Sequence, residues 1–395
     1  MIDSILFFVL LVCGIGFFIK NSRKIIVAIN LGTPLVKVDR KKERWVQMLR
    51  LAFGQQKMHR NLLVGILHLV VYLGFFIINI ELLEIIIDGL LGTHRVFNGL
   101  GVFYDFSIAI FEIFALLVMV SVIVFWIRRN VIRITRFWNV EMKGWPKSDA
   151  NWILIIEFVL MSLFLTMNAA DYALQLKGYE PYPLAGAFPV SASFEPFMSQ
   201  FSIDSLVIIE RASWWLHIIG ILFFLNYLYY SKHLHILLAF PNTFYSSLEP
   251  KGKIDNNEIV TSEVKLMLGL PTEPISSEDL YFGAKDVTNL SALQLLGAFS
   301  CTECGRCTAA CPANQTGKLL SPRKVMMDVR DRATDLVEKG NTVKGHSLLD
   351  NYISREELWA CTTCNACVEE CPIEISHILS PKIQIFGGYR FCRKS

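Results

Sequence analysis

The chain has 395 residues, of which 53% are hydrophobic and 28 are Phe, and its formal net charge is +3. Together with a positive mean hydropathy, this composition points away from a soluble enzyme and towards a membrane protein of two or three domains. The small net charge says little by itself, but the basic residues are confined to certain loops, and that distribution carries information.

In chain order, Ile5 to Ile19 is an apolar run ended by Lys20, with Arg23 and Lys24 beyond. It lacks a basic leading region and a small-residue cleavage site, so an uncleaved membrane anchor is expected. Residues 20–60 are polar and carry eleven Lys or Arg. Asn61 to about Leu91 and Phe106 to Ile127 are the second and third apolar runs, and Arg128 to Lys147 then carries six Lys or Arg. Trp152 to about Leu174 and Leu206 to Tyr230 make the fourth and fifth. Each has roughly the length needed to cross the hydrocarbon of a bilayer.

The connections between spans two and three and between four and five hold one basic residue each, Arg95 and Lys177. The positive-inside bias therefore puts residues 20–60, residues 128–148 and everything after Lys232 in the cytoplasm, with the N-terminus outside the inner membrane. Five spans agree with an inward C-terminus, because an odd number of crossings must switch sides. Residues 240–290, with Pro241, Pro250, Gly252, Asn256, Asn257, Pro271 and Pro274, read as a connector. The expected division is a membrane domain over 1–239, a linker over 240–290 and a third domain over 291–395.

That third domain holds one pattern twice. Cys301, Cys304, Cys307 and Cys311 precede Pro312, and Cys361, Cys364, Cys367 and Cys371 precede Pro372. Each reads C-x2-C-x2-C-x3-C-P, the run that ligates a [4Fe–4S] cubane. Three thiolates two residues apart on a tight loop reach three corners of one cube. The fourth Cys points away and ligates the other cube. One cluster is thus assigned to Cys301, Cys304, Cys307 and Cys371, and the second to Cys361, Cys364, Cys367 and Cys311. Structural zinc would use two C-x2-C pairs but leave two thiols per motif unexplained. Disulfides would need an oxidising compartment, against the cytoplasmic placement. Cys13 and Cys392 are left over and read as inert. Between the motifs, Ser321 to Lys339 and Ser354 to Trp359 read as helices, since SPRK offers an N-cap with Pro at the first position and Ser354 is followed by Glu356 and Glu357. The fold class is therefore all-α: a five-helix transmembrane bundle followed by a helical dicluster ferredoxin-like domain.

Ionisable side chains inside a span are costly and mark function by default. His68 lies in span two and His217 in span five, while His59 just precedes span two and His233 and His235 just follow span five. Histidines gathered on two helices are what b-type haem takes from facing helices. One haem is assigned to His68 with His217, whose depths differ by about 10 Å for antiparallel helices, and hydrogen bonding within the bundle is the alternative for these two. A second is placed on His59 with His235 or His233, and interfacial contacts with lipid headgroups are the alternative for these three. Eighteen residues, five full turns, separate His217 from His235, so both would share a face; nine put His59 and His68 on opposite faces of a regular helix. Asn79, Glu81, Glu84, Asp88, Glu112, Glu157, Asp171, Glu210 and Arg211 are either a proton path or quinone pocket, or carboxylates paired with Arg95 and Arg211 that hold the helices together. Trp214 and Trp215 read as part of an aromatic belt or as flanks of a ring-shaped ligand.

At CTECGRCTAACP followed by TGKLLSPRKVMMDVR, and again at CTTCNACVEECPIEI, the chain resembles the C-subunit type of heterodisulfide reductase iron–sulfur protein. The five-span portion, with His68, His217 and SKHLH closing it, looks like the cytochrome b (gamma) subunit of respiratory nitrate reductase, and along nearly its whole length the sequence is similar to bacterial membrane Fe–S oxidoreductases that fuse the two modules. The resemblance implies a menaquinone pool as diffusible substrate, haem b held by four histidines in the nitrate reductase relatives, and electron exchange with a cytoplasmic CCG-domain iron–sulfur subunit or an electron-transfer flavoprotein. The CCG motif that holds the catalytic cluster in heterodisulfide reductases is absent here, so the resemblance places that chemistry on another polypeptide. The expected function is that of the membrane subunit of a quinone-linked oxidoreductase; the alternative is a haem-free membrane anchor and docking subunit of a soluble redox complex.

Overall fold

The computed structural model describes residues 2–35, 38–251, 253, 258–272 and 284–377. Cys392 and part of the 240–290 connector lie outside them. Among the described residues the protein is 73% helical and has no strand. Among the described residues, five helices are long and apolar enough to cross a membrane: α1 (Ile2–Ile29), α2 (Leu62–Leu91), α3 (Val102–Asn130), α4 (Trp145–Leu176) and α5 (Ile203–Tyr227, continued by a 3₁₀ turn to Tyr230). The first runs ten residues past the apolar stretch, through Lys20, Arg23 and Lys24, because its backbone bonds are internal and need no apolar surroundings.

The chain folds into two compact units that are discontinuous in sequence. One comprises residues 1–20, 58–134 and 142–231; the other comprises 21–57, 135–141 and 232–395. In the first, local signals set the helix ends. Asn61 Oδ1 accepts from the Val64 N–H at the start of α2, Gly92 with φ 72° closes it, and Ser202 Oγ accepts from the Ser205 N–H at the start of α5. Phe7 of α1, 1% exposed, sits against Gly89 of α2, where a Cβ would meet its ring at 2.7 Å, and against Trp214 with centroids 5.4 Å apart. Asn226 of α5 donates to the Gly14 carbonyl of α1 at 3.0 Å. Phe7 also meets the ring of Trp215, so both tryptophans pack on the first helix. Small residues and one buried aromatic let these helices approach closely, which is how apolar helices associate where there is no water to expel.

The polar residues of the spans divide. Arg95 donates to Asp171 at 2.6 Å, to Tyr104 at 2.9 Å and to Asn168 at 3.0 Å. Asn168 donates to Glu112, which also accepts from the backbone of Val190 and Ser191. Glu84 accepts from Tyr104 and the Phe97 N–H, Asp88 caps the turn at Thr93–Val96, and Glu210 pairs with Arg211 and accepts from Tyr182. These groups tie helices to the connections between them. Glu81 differs: it is buried, and its Oε2 has no hydrogen-bond partner.

In the second unit, the segment after α1 pairs with the start of the helix at Ala292–Ser300: the Thr33 N–H donates to Leu290 at 2.7 Å and the Ala292 N–H to Thr33 at 2.9 Å. The helices here include α6 (His235–Tyr245), α7 (Ala292–Ser300), α8 (Arg306–Ala310), α9 (Pro322–Lys339), α10 (Arg355–Trp359) and α11 (Ala366–Glu370). The N-caps read from sequence are in place. Ser321 Oγ accepts from the Lys324 N–H, and Ser354 forms a capping box with Glu357.

Candidate functional site

The two cysteine loops have the same backbone. Glu303 and Thr363 (φ 54° and 56°) occupy one left-handed position, and Gly305 and Asn365 (φ 72° and 61°) the next. Cys311 and Cys371 end α8 and α11 with φ/ψ of −74°/117° and −73°/120°. Alternating left-handed residues curl each loop, the backbone turn from which a nest of N–H groups for a polyanionic centre is built. The Thr363 N–H lies 3.5 Å from Cys361 Sγ, and the Ile375 N–H donates to Cys371 Sγ at 3.3 Å.

Cys371, far along the chain, lines one cavity together with Cys301, Cys304 and Cys307. Cys367 is influenced most among the thiols by Cys361, Cys311 and Cys364. Cys371 therefore joins the first loop's thiols, and Cys311 acts on the thiols of the second loop. Among the described residues no three His, Cys, Asp or Glu side chains converge closely enough to hold one metal ion; the first group instead rings a space. Burial pushes the Cys301 and Cys367 thiols up to about 12 and Cys371 to about 11, and neighbouring thiols push the same way. Such thiols become thiolates only against a compensating cation, which the irons of a cluster supply. The donor set, crossed grouping and N–H donors fit a [4Fe–4S] pair. Cys301, Cys307, Cys311, Cys367 and Cys371 are buried, while Cys361 and Cys364 are exposed.

Sequence reading passed over the charged residues that brace these loops. Glu303, within the first loop, is 3% exposed; Lys232 donates to it and Arg330 pairs with it at 2.9 Å. Glu374, just past the last cysteine and also left-handed (φ 60°), is paired with Lys57 at 2.7 Å and with Lys251. Arg323 of α9 has no exposed surface; it donates to the Arg136 carbonyl and to Glu141 Oε1, each at 2.7 Å, and Ser321 donates to the same carboxylate. The signal was available in outline: two acidic residues beside cysteines, and an Arg in SPRK immediately after the capping Pro.

The histidines are more dispersed. His217 is 3% exposed, and its Nδ1 faces the Leu160 carbonyl at 3.0 Å. A carbonyl only accepts, so Nδ1 carries the hydrogen and Nε2 keeps its lone pair, the tautomer a ligating imidazole needs. His217 lines an apolar cavity among α2, α3, α4 and α5, together with Val71, Gly74, Phe164, Glu81 and Glu157. His68 is half-buried on α2, one turn before Val71. His59 lies on a 3₁₀ turn ahead of α2, so the regular-helix argument that set it opposite His68 does not apply. Nor do five even turns join His217 to His235. The helix breaks at Ser231, which is extended at φ −111° and ψ 146°, between two 3₁₀ turns. His235 Nδ1 contacts the Lys232 carbonyl at 3.1 Å, and its ring lies 5.5 Å from and perpendicular to that of His233.

Comparison with known proteins agrees with this geometry. Residues 295–372 match the 4Fe-4S dicluster domain family. No solved structure matches the chain. Along 95% of its length the chain is 26% identical to a probable iron–sulfur-binding oxidoreductase, FadF, of Bacillus subtilis, covering 54% of that protein. It is 24% identical over 84% of its length to the EtfAB:quinone oxidoreductase of Syntrophomonas wolfei, covering 46% of it. Over 20% of its length it is 38% identical to the C-type component of the ferredoxin:CoB-CoM heterodisulfide reductase of Methanosarcina mazei, covering 37% of that component. The chain spans about half the length of the first two relatives, and its C-terminal module is similar to an iron–sulfur dicluster domain.

Proposed function

We propose that the protein is the membrane-embedded electron-transfer part of a quinone-linked oxidoreductase, passing single electrons between menaquinone, haem b and two [4Fe–4S] clusters, and onward to or from a cytoplasmic CCG-type iron–sulfur protein or electron-transfer flavoprotein. The observation that carries this reading is the cavity that Cys371 shares with Cys301, Cys304 and Cys307, in a chain that carries the cysteine motif twice and has five membrane-length helices among its described residues. When bound, the clusters and haem take up and release single electrons, and the protein's task is to hold and space them. Cys301, Cys304, Cys307 and Cys371 hold one cluster; Cys361, Cys364, Cys367 and Cys311 hold the other. His217, through Nε2, is a haem ligand, with His68 as its partner in a cytochrome b-like bundle of the nitrate reductase gamma type. His59 with His235 or His233 forms the second candidate pair. The clusters face the cytoplasm of a cell whose inner membrane holds the spans, a placement the basic loops support.

The relative named for EtfAB and quinone supports the quinone and flavoprotein ends of this chain of transfer. The haem-free anchor is the second reading, favoured by one observation: His217 lines the apolar cavity, whereas His68 is not among its lining residues. A pigment spectrum of the purified protein with iron and sulfide analysis separates them. A reduced b-type α-band with about eight irons per chain supports the first reading; the same iron without haem supports the second, and zinc in place of iron removes both.

A further inference from the structure

Two buried nitrogens without a hydrogen-bond partner belong to residues in the wall of the cavity ringed by Cys301, Cys304, Cys307 and Cys371. They are Arg323 Nε and His377 Nδ1. Arg323 is the more informative. Its Nη1 and Nη2 are engaged by the Arg136 carbonyl and Glu141, its guanidinium cannot deprotonate, and a buried N–H left idle is costly. A [4Fe–4S] cluster would bring sulfide and thiolate acceptors into the space that lacks them. Gly305 makes the approach possible, because a Cβ there would collide with Arg323 Nη1. The corresponding residue of the second loop is Asn365, which carries a side chain.

The paired charges around this first group lean positive. Arg323, Lys232, Arg330, Lys57 and Lys251 are set against Glu141, Glu303 and Glu374, five cations to three carboxylates. Arg330 and Lys57 have one further acidic neighbour each, Asp331 and Glu369, but both are exposed and screened by water. Reducing a cluster adds one negative charge, which burial disfavours and a fixed neighbouring cation favours. Three of the four sulfurs here are buried, so burial alone would depress this cluster's potential.

We propose that Arg323 is a positioning residue that raises the reduction potential of the cluster held by Cys301, Cys304, Cys307 and Cys371, through its fixed charge and its Nε–H. The step it influences is a one-electron reduction in which no bond forms or breaks. The proposal rests on the ligand sets above.

The test is a redox titration of the full chain in detergent, followed by electron paramagnetic resonance with dithionite as reductant, after iron and sulfide are measured. Arg323→Met should keep its iron and shift one of the two one-electron waves downward, leaving the other in place. Arg323→Lys, which keeps charge but loses Nε–H, should shift the same wave less. Glu141→Gln, which leaves the guanidinium uncompensated, should shift it upward. Full iron with both waves unmoved in Arg323→Met, or both moving together, overturns the proposal. Should Arg323→Met fail to assemble, Glu141→Gln decides alone, and an unmoved wave there is the overturning result. Cys304→Ser keeps the two readings apart. Loss of the wave that Arg323 governs supports both, whereas loss of the other wave shows that the ligand sets, and with them this assignment of Arg323, are wrong. Loss of one wave in Cys304→Ser with no shift in any Arg323 or Glu141 variant leaves the ligand sets standing and sinks the role of Arg323.

Discussion

Glu303 Oε1 and Arg330 Nη2 lie 2.9 Å apart beneath the first cysteine loop, and Lys232 donates to the other oxygen of the same carboxylate. Two cations on one buried carboxylate fix a loop whose Glu is held left-handed at φ 54°, a conformation that is unfavourable for a residue with a Cβ. Removing one partner of a buried ion pair costs about 3–5 kcal/mol. Glu303→Gln should therefore reduce bound iron towards half, with the loss confined to one cluster signal. Normal iron content would show that the loop is held without the pair.

The crossed ligand sets make a pairwise prediction. Cys371→Ser and Cys304→Ser should leave the same residual cluster spectrum, and Cys311→Ser and Cys364→Ser the other one. If the residual spectra instead pair Cys371 with Cys364, each motif holds its own cluster and the cavity shared by Cys371 and Cys301 has another purpose.

His217→Ala should abolish the b-type α-band while both cluster signals persist, since the imidazole sits in a different compact unit from the cysteines. His68→Ala should do the same if it is the opposite ligand. Haem retained in His217→Ala refutes the ligand assignment.

Phe7 and Gly89 predict a compensating pair. A methyl group added at Gly89 meets the Phe7 ring at 2.7 Å, so Gly89→Ala should destabilise the bundle by about 1–3 kcal/mol. Combining it with Phe7→Leu should recover part of that loss, because contacting residues couple. Thermal unfolding in detergent reads both, and strictly additive effects would mean that the two residues do not share the space.

Asp328 of α9 supplies a pH prediction. Burial pushes its carboxyl up to about 6 from 3.8, although Lys324 contacts it at 2.7 Å. Between these values the folded state binds more protons than the unfolded state, so stability falls as pH rises from about 4 to about 6. Asp328→Asn should remove that slope and stabilise the protein at neutral pH by on the order of 1–3 kcal/mol. Melting followed by loss of cluster absorbance across this pH range checks it; an unchanged slope would place the titration elsewhere.

The spans, the two helices between the motifs and the cysteine runs were legible because each rests on local pattern. Hydropathy over some twenty residues, a Ser before a Pro, and thiols at fixed spacing need no knowledge of distant chain. The same holds for the left-handed loop positions only in part: Gly305 and Asn365 announce themselves, whereas Glu303 and Thr363 do not, since sterics disfavour what the fold imposes on them. The helical count between His217 and His235 failed because an extended Ser231 interrupts it, and periodicity assumes an unbroken helix.

By itself, the sequence determined that this protein is helical, that five of its segments suit a bilayer, and that it carries a doubled cysteine motif, all properties of neighbouring residues. Only the tertiary structure decided that Glu303, Glu374 and Arg323 surround the first loop's thiols with paired charge, and that Glu81 alone of the carboxylates in α2 keeps an unpartnered oxygen. The reason is physical. Burial and ion pairing depend on residues far apart in the chain being brought within a few ångströms, and no local pattern records which ones will meet.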